Sequence, residues 1–132
     1  MVDIDSFTTA AANGDISRVE QMLENGIDPN GVNRYGRTAL QVMKMGCPDI
    51  CRVLLNWGAD PDRQDGYSIA LIHDLAREGH LDTLNVLVEV GNANINLRDG
   101  NDKRAICLAR ENNHPNVVDY LIRRNEATKV GV

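Results

Sequence analysis

Residues 36–60 read Gly36-Arg37-Thr38-Ala39-Leu40-Gln41-Val42-Met43-Lys44-Met45-Gly46, then Cys47-Pro48-Asp49-Ile50-Cys51-Arg52-Val53-Leu54-Leu55-Asn56-Trp57-Gly58-Ala59-Asp60. These are two short apolar-periodic segments, each closed by a glycine. Twelve positions separate Gly46 from Gly58, and the same pairing recurs as Gly14 with Gly26 and as Gly79 with Gly91. A third step lands on Asn113 and Asn125 in a fourth unit, so the chain repeats at intervals of 32, 33 and 34 residues. Asparagine is the other residue that enters the left-handed region readily, so both columns predict positive φ just past a helix end.

Between the two columns lies a helix whose apolar positions align in every unit. Val19, Met22 and Leu23 correspond to Cys51, Leu54 and Leu55, to Leu84, Leu87 and Val88, and to Val118, Leu121 and Ile122. Steps of three and four place each set on one helical face. Ile16, Pro48, Leu81 and Pro115 share the column that opens this helix, and proline suits a first turn, where its missing N–H has no intrahelical partner. A shorter helix precedes the first column, over 7–12, 38–45, 71–77 and 105–111. Thr38 and Gln41 fit a capping box at one of its starts. Turn-rich stretches such as Asp60-Pro61-Asp62 and Asp99-Gly100-Asn101 separate the units and suit projecting loops.

The pattern predicts one all-α domain over residues 1–132, with units at 3–33, 34–65, 66–99 and 100–128. Composition agrees with an ordinary folded chain, at 42% hydrophobic and 25% charged residues. Only Phe7, Tyr35, Trp57, Tyr67 and Tyr120 are aromatic and the net charge is −5, so neither a stacking platform nor a phosphate-binding patch for nucleic acid is expected. No run approaches the about 18 apolar residues of a membrane span. The start, Met1-Val2-Asp3-Ile4-Asp5, lacks the basic and hydrophobic parts of a secretion signal. With the odd count of three cysteines, this predicts reduced thiols in an intracellular protein.

Gly36-Arg37-Thr38-Ala39-Leu40, followed by Gly46, Val53-Leu54-Leu55 and Gly58-Ala59-Asp60, resembles the ankyrin repeat, and one register covers essentially the whole chain. The resemblance implies a solenoid of four helix-turn-helix units with projecting hairpin loops, each unit burying its apolar face on its neighbours. The second unit is one residue short between Gly36 and Gly46, which predicts a curtailed first helix. That defect, with Gln41-Val42-Met43-Lys44-Met45-Gly46 and His73-Asp74-Leu75-Ala76-Arg77-Glu78-Gly79-His80-Leu81-Asp82-Thr83-Leu84, resembles the ankyrin inhibitors of D-type-cyclin-dependent kinases, the cyclin-dependent kinase 4 inhibitors. Leu75, His80, Lys44 and an apparent insertion at Asn92 depart from the family pattern.

Other chemistry is readable in isolated residues. His73 with Asp74 could form a general-base pair, and Cys107 with His114 a nucleophile and base, but catalysis needs three groups converging in a cleft. In the ankyrin register His73 makes a structural hydrogen-bonded contact, and Cys107 stands in its column. Cys47 and Cys51 lie one helical turn apart without the second ligand pair of a structural zinc site, so no metal and no cofactor is expected.

Charge is uneven along the chain. Residues 1–33 carry −5, 34–59 carry +3, 60–97 carry −5 and 98–132 carry +2. The acidic third segment holds Asp60, Asp62, Asp65, Asp74, Glu78, Asp82 and Glu89 against Arg63 and Arg77. The family resemblance implies a non-enzymatic inhibitor, monomeric, cytoplasmic and nuclear, that binds the kinase catalytic subunit through the concave ankyrin face. The resemblance further implies that this binding, beside the ATP cleft and away from cyclin, holds the lobes misaligned and restrains the G1/S transition. It implies that Asp74 pairs with a kinase arginine, with Asp65 and Asp82 as further contacts and Tyr35, Gln41 and Met43 extending the interface. The alternative is a general ankyrin adaptor for another protein.

Overall fold

The computed structural model describes residues 3–130; residues 1, 2, 131 and 132, the ends of the expected domain, lie outside them. Eight helices run in four pairs among the described residues. They are α1 (Ile4–Ala12) with α2 (Ile16–Glu24), α3 (Ala39–Val42) with α4 (Pro48–Asn56), α5 (Leu71–Glu78) with α6 (Leu81–Glu89), and α7 (Ala105–Glu111) with α8 (Pro115–Val130). All four second helices begin at the residue expected from the Ile16, Pro48, Leu81 and Pro115 column. First helices stack as α1 on α3 and α5 on α7, and second helices as α2 on α4 on α6.

The apolar column forms one continuous core. Val19, Leu23, Cys51, Leu54, Leu84 and Leu87 are essentially inaccessible to solvent, joined by Phe7, Leu40, Ile72 and Leu75 from the first helices. Small residues Ala11, Ala39, Ala76 and Ala109 are equally buried and let those helices approach closely. In α8 the buried pair shifts to Val117 and Leu121 and Ile122 is exposed, because no further helix pair stacks on α8 among the described residues.

The one-residue deletion shortens α3 to four residues. It ends at Val42 because Met43 is extended (φ −56°, ψ 155°). The capping box at Thr38 is made in both directions: Gln41 N–H donates to Thr38 Oγ1 (3.4 Å) and Thr38 N–H to Gln41 Oε1 (2.9 Å). A helix this short has almost no internal ladder, so the cap carries an unusual share of its order.

Five of the eight predicted column positions take positive φ: Gly14, Gly26, Gly58, Gly79 and Asn113. Three do not, each for a local reason. Gly46 follows the curtailed helix through a different turn. Asn92, inserted after Gly91, takes the left-handed conformation itself (φ 55°). Gly91 is instead fixed by space, since a Cβ there would lie 2.6 Å from the Leu55 side chain and 2.7 Å from the Leu87 carbonyl. Asn125 does not end its helix, which runs on to Val130.

Between the helix pairs the loops repeat as closely as the helices. Asn33, Asp65 and Asp99 close the hairpin tips that lead into the second, third and fourth units, named here the second, third and fourth tips after those units, each with one side-chain oxygen. Asn33 Oδ1 accepts from Tyr35 and Arg37 N–H (2.9 and 3.1 Å), Asp65 Oδ1 from Tyr67 and Ile69 (2.8 and 3.0 Å), and Asp99 Oδ1 from Asn101 and Lys103 (2.9 and 2.9 Å). Gly36, Ser68 and Asp102 supply the left-handed residue of these tips, with φ of 76°, 60° and 62°. At the loop base Asn30 Oδ1 accepts from Asp60 N–H (2.7 Å) and Asp62 Oδ1 from Asn94 N–H (2.8 Å), tying the first unit to the second and the second to the third.

Candidate partner-binding face

Asp74 is presented by the first turn of α5, and His73 beside it sets that turn. The His73 ring is fully buried. Its Nδ1 accepts from the Ala70 N–H (3.0 Å), and its Nε2 lies 2.8 Å from the Leu97 carbonyl, to which it donates. One buried imidazole therefore caps α5 and anchors the following loop. Both nitrogens are engaged with backbone, which removes the reading of His73 as a base working with Asp74.

The Asp74 side chain is about one-third exposed, with Oδ1 2.7 Å from Nη2 of Arg77 one turn along α5. No hydrogen bond from the described residues reaches its Oδ2. Burial raises its pKa above the ordinary carboxylate value; Arg77 offsets this in part, and the charge of Asp65 raises it further. Asp74 is thus a partly desolvated carboxylate with one oxygen held and one open. Such a group gains from a second guanidinium brought by a partner.

Asp65 stands at the tip of the third hairpin. Its Oδ1 closes that tip, its Oδ2 is 3.6 Å from Nη2 of Arg37 on the second tip, and only 12% of its side chain is exposed. Much of this carboxylate is therefore engaged inside the protein. Tyr35, at the second tip, is 77% exposed. Gln41 lies below it, with its amide divided between the capping box and a 3.2 Å bond from Nε2 to the Arg63 carbonyl. Met43 corrects the sequence expectation. At 3% exposure it is a core residue, because the curtailed α3 ends there and turns the side chain inward.

Asp82 lies apart from this group. It is exposed in the first turn of α6, beyond the far end of α5, in a shallow cleft shared with Gly46, Pro48, His80 and Asn116. The structure thus brings Asp74, Asp65 and Tyr35 to the edge formed by first helices and hairpin tips, with Gln41 beneath them, and leaves Asp82 at the helix-turn edge. Three tip-edge residues escaped the sequence reading: Arg37, Arg77 and Tyr67. Tyr67 is as exposed as Tyr35 and stands 32 residues after it, a spacing that was available as a signal.

Two further reactive residues, Cys51 and His114, serve the fold. Cys51 is buried in the core, and desolvation pushes its thiol up to about 12. His114 donates from Nε2 to the Arg77 carbonyl at 2.9 Å, with its ring against Gly79, where a Cβ would lie 2.5 Å from it. Among the described residues no three His, Cys, Asp or Glu side chains are grouped to hold a metal ion, and no helix is long and apolar enough to cross a membrane.

Comparison with known proteins places these features in a lineage. Residues 5–65 match the family described as "Ankyrin repeats (3 copies)" and residues 72–122 the family "Ankyrin repeats (many copies)". Cyclin-dependent kinase 4 inhibitor B of Homo sapiens is 45% identical over 118 residues, covering 89% of this chain and 85% of its own. The protein of that name from Rattus norvegicus is 44% identical over 114 residues, covering 86% of this chain and 87% of its own. Cyclin-dependent kinase inhibitor 2A of Monodelphis domestica is 44% identical over 118 residues, covering 89% of this chain and 68% of its own.

Proposed function

Because the chain belongs to the ankyrin-repeat family of cyclin-dependent kinase 4 inhibitors, we propose that it binds a cyclin-dependent kinase and inhibits it. The observation that carries this reading is kinship along nearly the whole chain with proteins named for that inhibition. It favours a kinase partner over a general adaptor role. The finer reading is that the target is the catalytic subunit of a D-type-cyclin-dependent kinase, held by a monomeric inhibitor that acts without turnover in cytoplasm and nucleus.

The mechanism follows from differential affinity. A rigid surface that touches both kinase lobes stabilises only the lobe arrangement it fits, so binding beside the ATP cleft draws the kinase into a misaligned state with weakened cyclin affinity. In this proposal Asp74 supplies the orienting charge through its open Oδ2. Tyr35 contributes contact area, Asp65 offers its less engaged oxygen, Gln41 contributes the exposed flank of its side chain, and Asp82 meets the partner separately along α6. The buried Met43 acts only by supporting this surface.

A pull-down with purified D-type-cyclin-dependent kinase, alongside a cell-cycle kinase of another cyclin class, tests the assignment. Retention of the first kinase and loss of its phosphorylating activity are expected. Equal binding of both kinases overturns the D-type specificity, and binding of neither overturns the reading as a whole.

A further inference from the structure

We infer that Tyr67 is a second aromatic anchor for the kinase, paired with Tyr35 across adjacent hairpin tips and receiving a basic segment of that partner. This inference rests on the proposed function and extends its surface by one unit.

The two tips are built alike. Asn33 and Asp65 close them with equivalent side-chain bonds, and Tyr35 and Tyr67 each donate a backbone N–H to the closing oxygen, at 2.9 and 2.8 Å. Both tyrosines are 77% exposed. The tips are also tied to each other, since Arg37 of one lies 3.6 Å from Asp65 of the other, and Gln41 Nε2 donates to the Arg63 carbonyl at 3.2 Å. Two tyrosines thus stand on consecutive units of one braced edge, spaced by the stacking of neighbouring units at about 10 Å.

Nothing in the hairpin demands an aromatic residue there. At the same place in the fourth tip the chain has Asn101, which makes the same bond to Asp99 at 2.9 Å and is exposed. Two rings left in water where a polar residue serves the fold are better explained by contact with a partner. Tyrosine is suited to this, because it brings a large rigid area with little side-chain entropy to lose. An open cleft of about 450 Å³ runs beside Tyr67, lined by Ser68, Ile69, Asp99 and Gly100.

Charge selects the partner segment. The arginines that flank Tyr35 are already matched, Arg34 by Asp5 at 3.0 Å and Arg37 by Asp65. Beside Tyr67 stand the carboxylates of Asp65, which closes its tip, and of Asp99 across the cleft, and Asp74 offers an open oxygen behind the same edge. Ring faces beside carboxylates favour a guanidinium or ammonium with its aliphatic stem. The surface therefore fits an arginine- or lysine-bearing segment of the kinase.

The test is a calorimetric titration of D-type-cyclin-dependent kinase with the full chain, Tyr67→Asn and Tyr67→Phe, with melting curves for all three. Tyr67→Asn installs the residue type already present in the fourth tip, so the tip keeps its closure. The expected result is a Kd raised about tenfold or more by Tyr67→Asn and changed less than about twofold by Tyr67→Phe, with melting unchanged. Kinase binding by Tyr67→Asn within about twofold of the parent overturns the inference while leaving the inhibitor assignment standing. Equal weakening by the two variants overturns the ring-face contact, and failure of the parent to bind overturns the inference together with the D-type target.

Discussion

Replacing Asp74 by Asn separates what this residue does for the partner from what it does for the fold. The change keeps the side-chain volume and keeps an oxygen to accept from Arg77, now 2.7 Å away, while removing the charge. For folding, two small terms oppose each other. Weakening a partly exposed pair one turn apart costs about 0.3–0.5 kcal/mol, and removing a half-buried negative charge returns a similar amount. A stability change within about 0.5 kcal/mol is expected. For binding, the proposed contact has no such compensation, because the partner guanidinium would lose its counter-charge in a closed interface. The expected loss is about 1.4–2.8 kcal/mol, a Kd raised roughly 10- to 100-fold.

Calorimetry of the kinase complex reads the second number and denaturant melts read the first. Acid dependence supplies an independent check. Burial raises the folded-state pKa of Asp74 above its unfolded value, so ionisation opposes folding: the penalty is fully present above the folded pKa and absent below the unfolded one. Asp74→Asn therefore compares best with the parent near neutral pH, and its relative standing falls as pH drops through the folded pKa of Asp74. A Kd within about twofold of the parent, with both proteins folded, refutes the binding argument. A relative stability that moves in the opposite direction on acidification refutes the electrostatic one, since it would mean that the Arg77 pair outweighs burial.

Three further outcomes test the scaffold. Ser68 sits in the left-handed region at φ 60° with its side chain exposed, so Ser68→Gly should raise the denaturant midpoint by about 0.5–1 kcal/mol equivalent, the strain relieved less the added freedom of the unfolded chain. His73→Ala leaves the Ala70 N–H and the Leu97 carbonyl without their partner and opens a fully buried site; a loss of about 3–4 kcal/mol by chemical denaturation is expected, enough to threaten folding of a four-unit stack. Native-state thiol labelling should modify Cys47 and Cys107, which are partly exposed, and reach Cys51 only after denaturant is added, because that thiol is buried and pushed up to about 12.

The helical part of the fold was legible because it rests on strong local signals. Two columns of left-handed residues, a proline-bearing start column and four apolar faces at helical spacing all demand the same register, and agreement between levels is what makes a sequence readable. The failures are each local. At Gly46, Gly91 and Asn125 the residue type was right for a positive φ, but a deletion, an insertion and a continued helix, respectively, moved the turn. Glycine has two uses, conformational freedom and absence of a side chain, and only the packing of Leu55 against Gly91 shows which one operates there.

The candidate site was less legible because its residues hold two positions at once. Asp65 reads in sequence as one more surface carboxylate, whereas the structure makes it the keystone of a hairpin tip, equivalent to Asn33 and Asp99. Gln41 likewise holds α3 and the next loop with a single amide. Such residues can touch a partner only through the atoms the fold leaves over. By contrast, the exposed ring of Tyr67 and the open Oδ2 of Asp74 are not required by any turn, cap or core in the described structure. The separation between atoms engaged by the fold and atoms left to solvent therefore ranks Asp74, Tyr35 and Tyr67 above Asp65 and Gln41 as direct contacts. In the proposed complex the edge formed by the second and third hairpin tips would then carry the larger part of the binding energy, with Asp82 a separate contact.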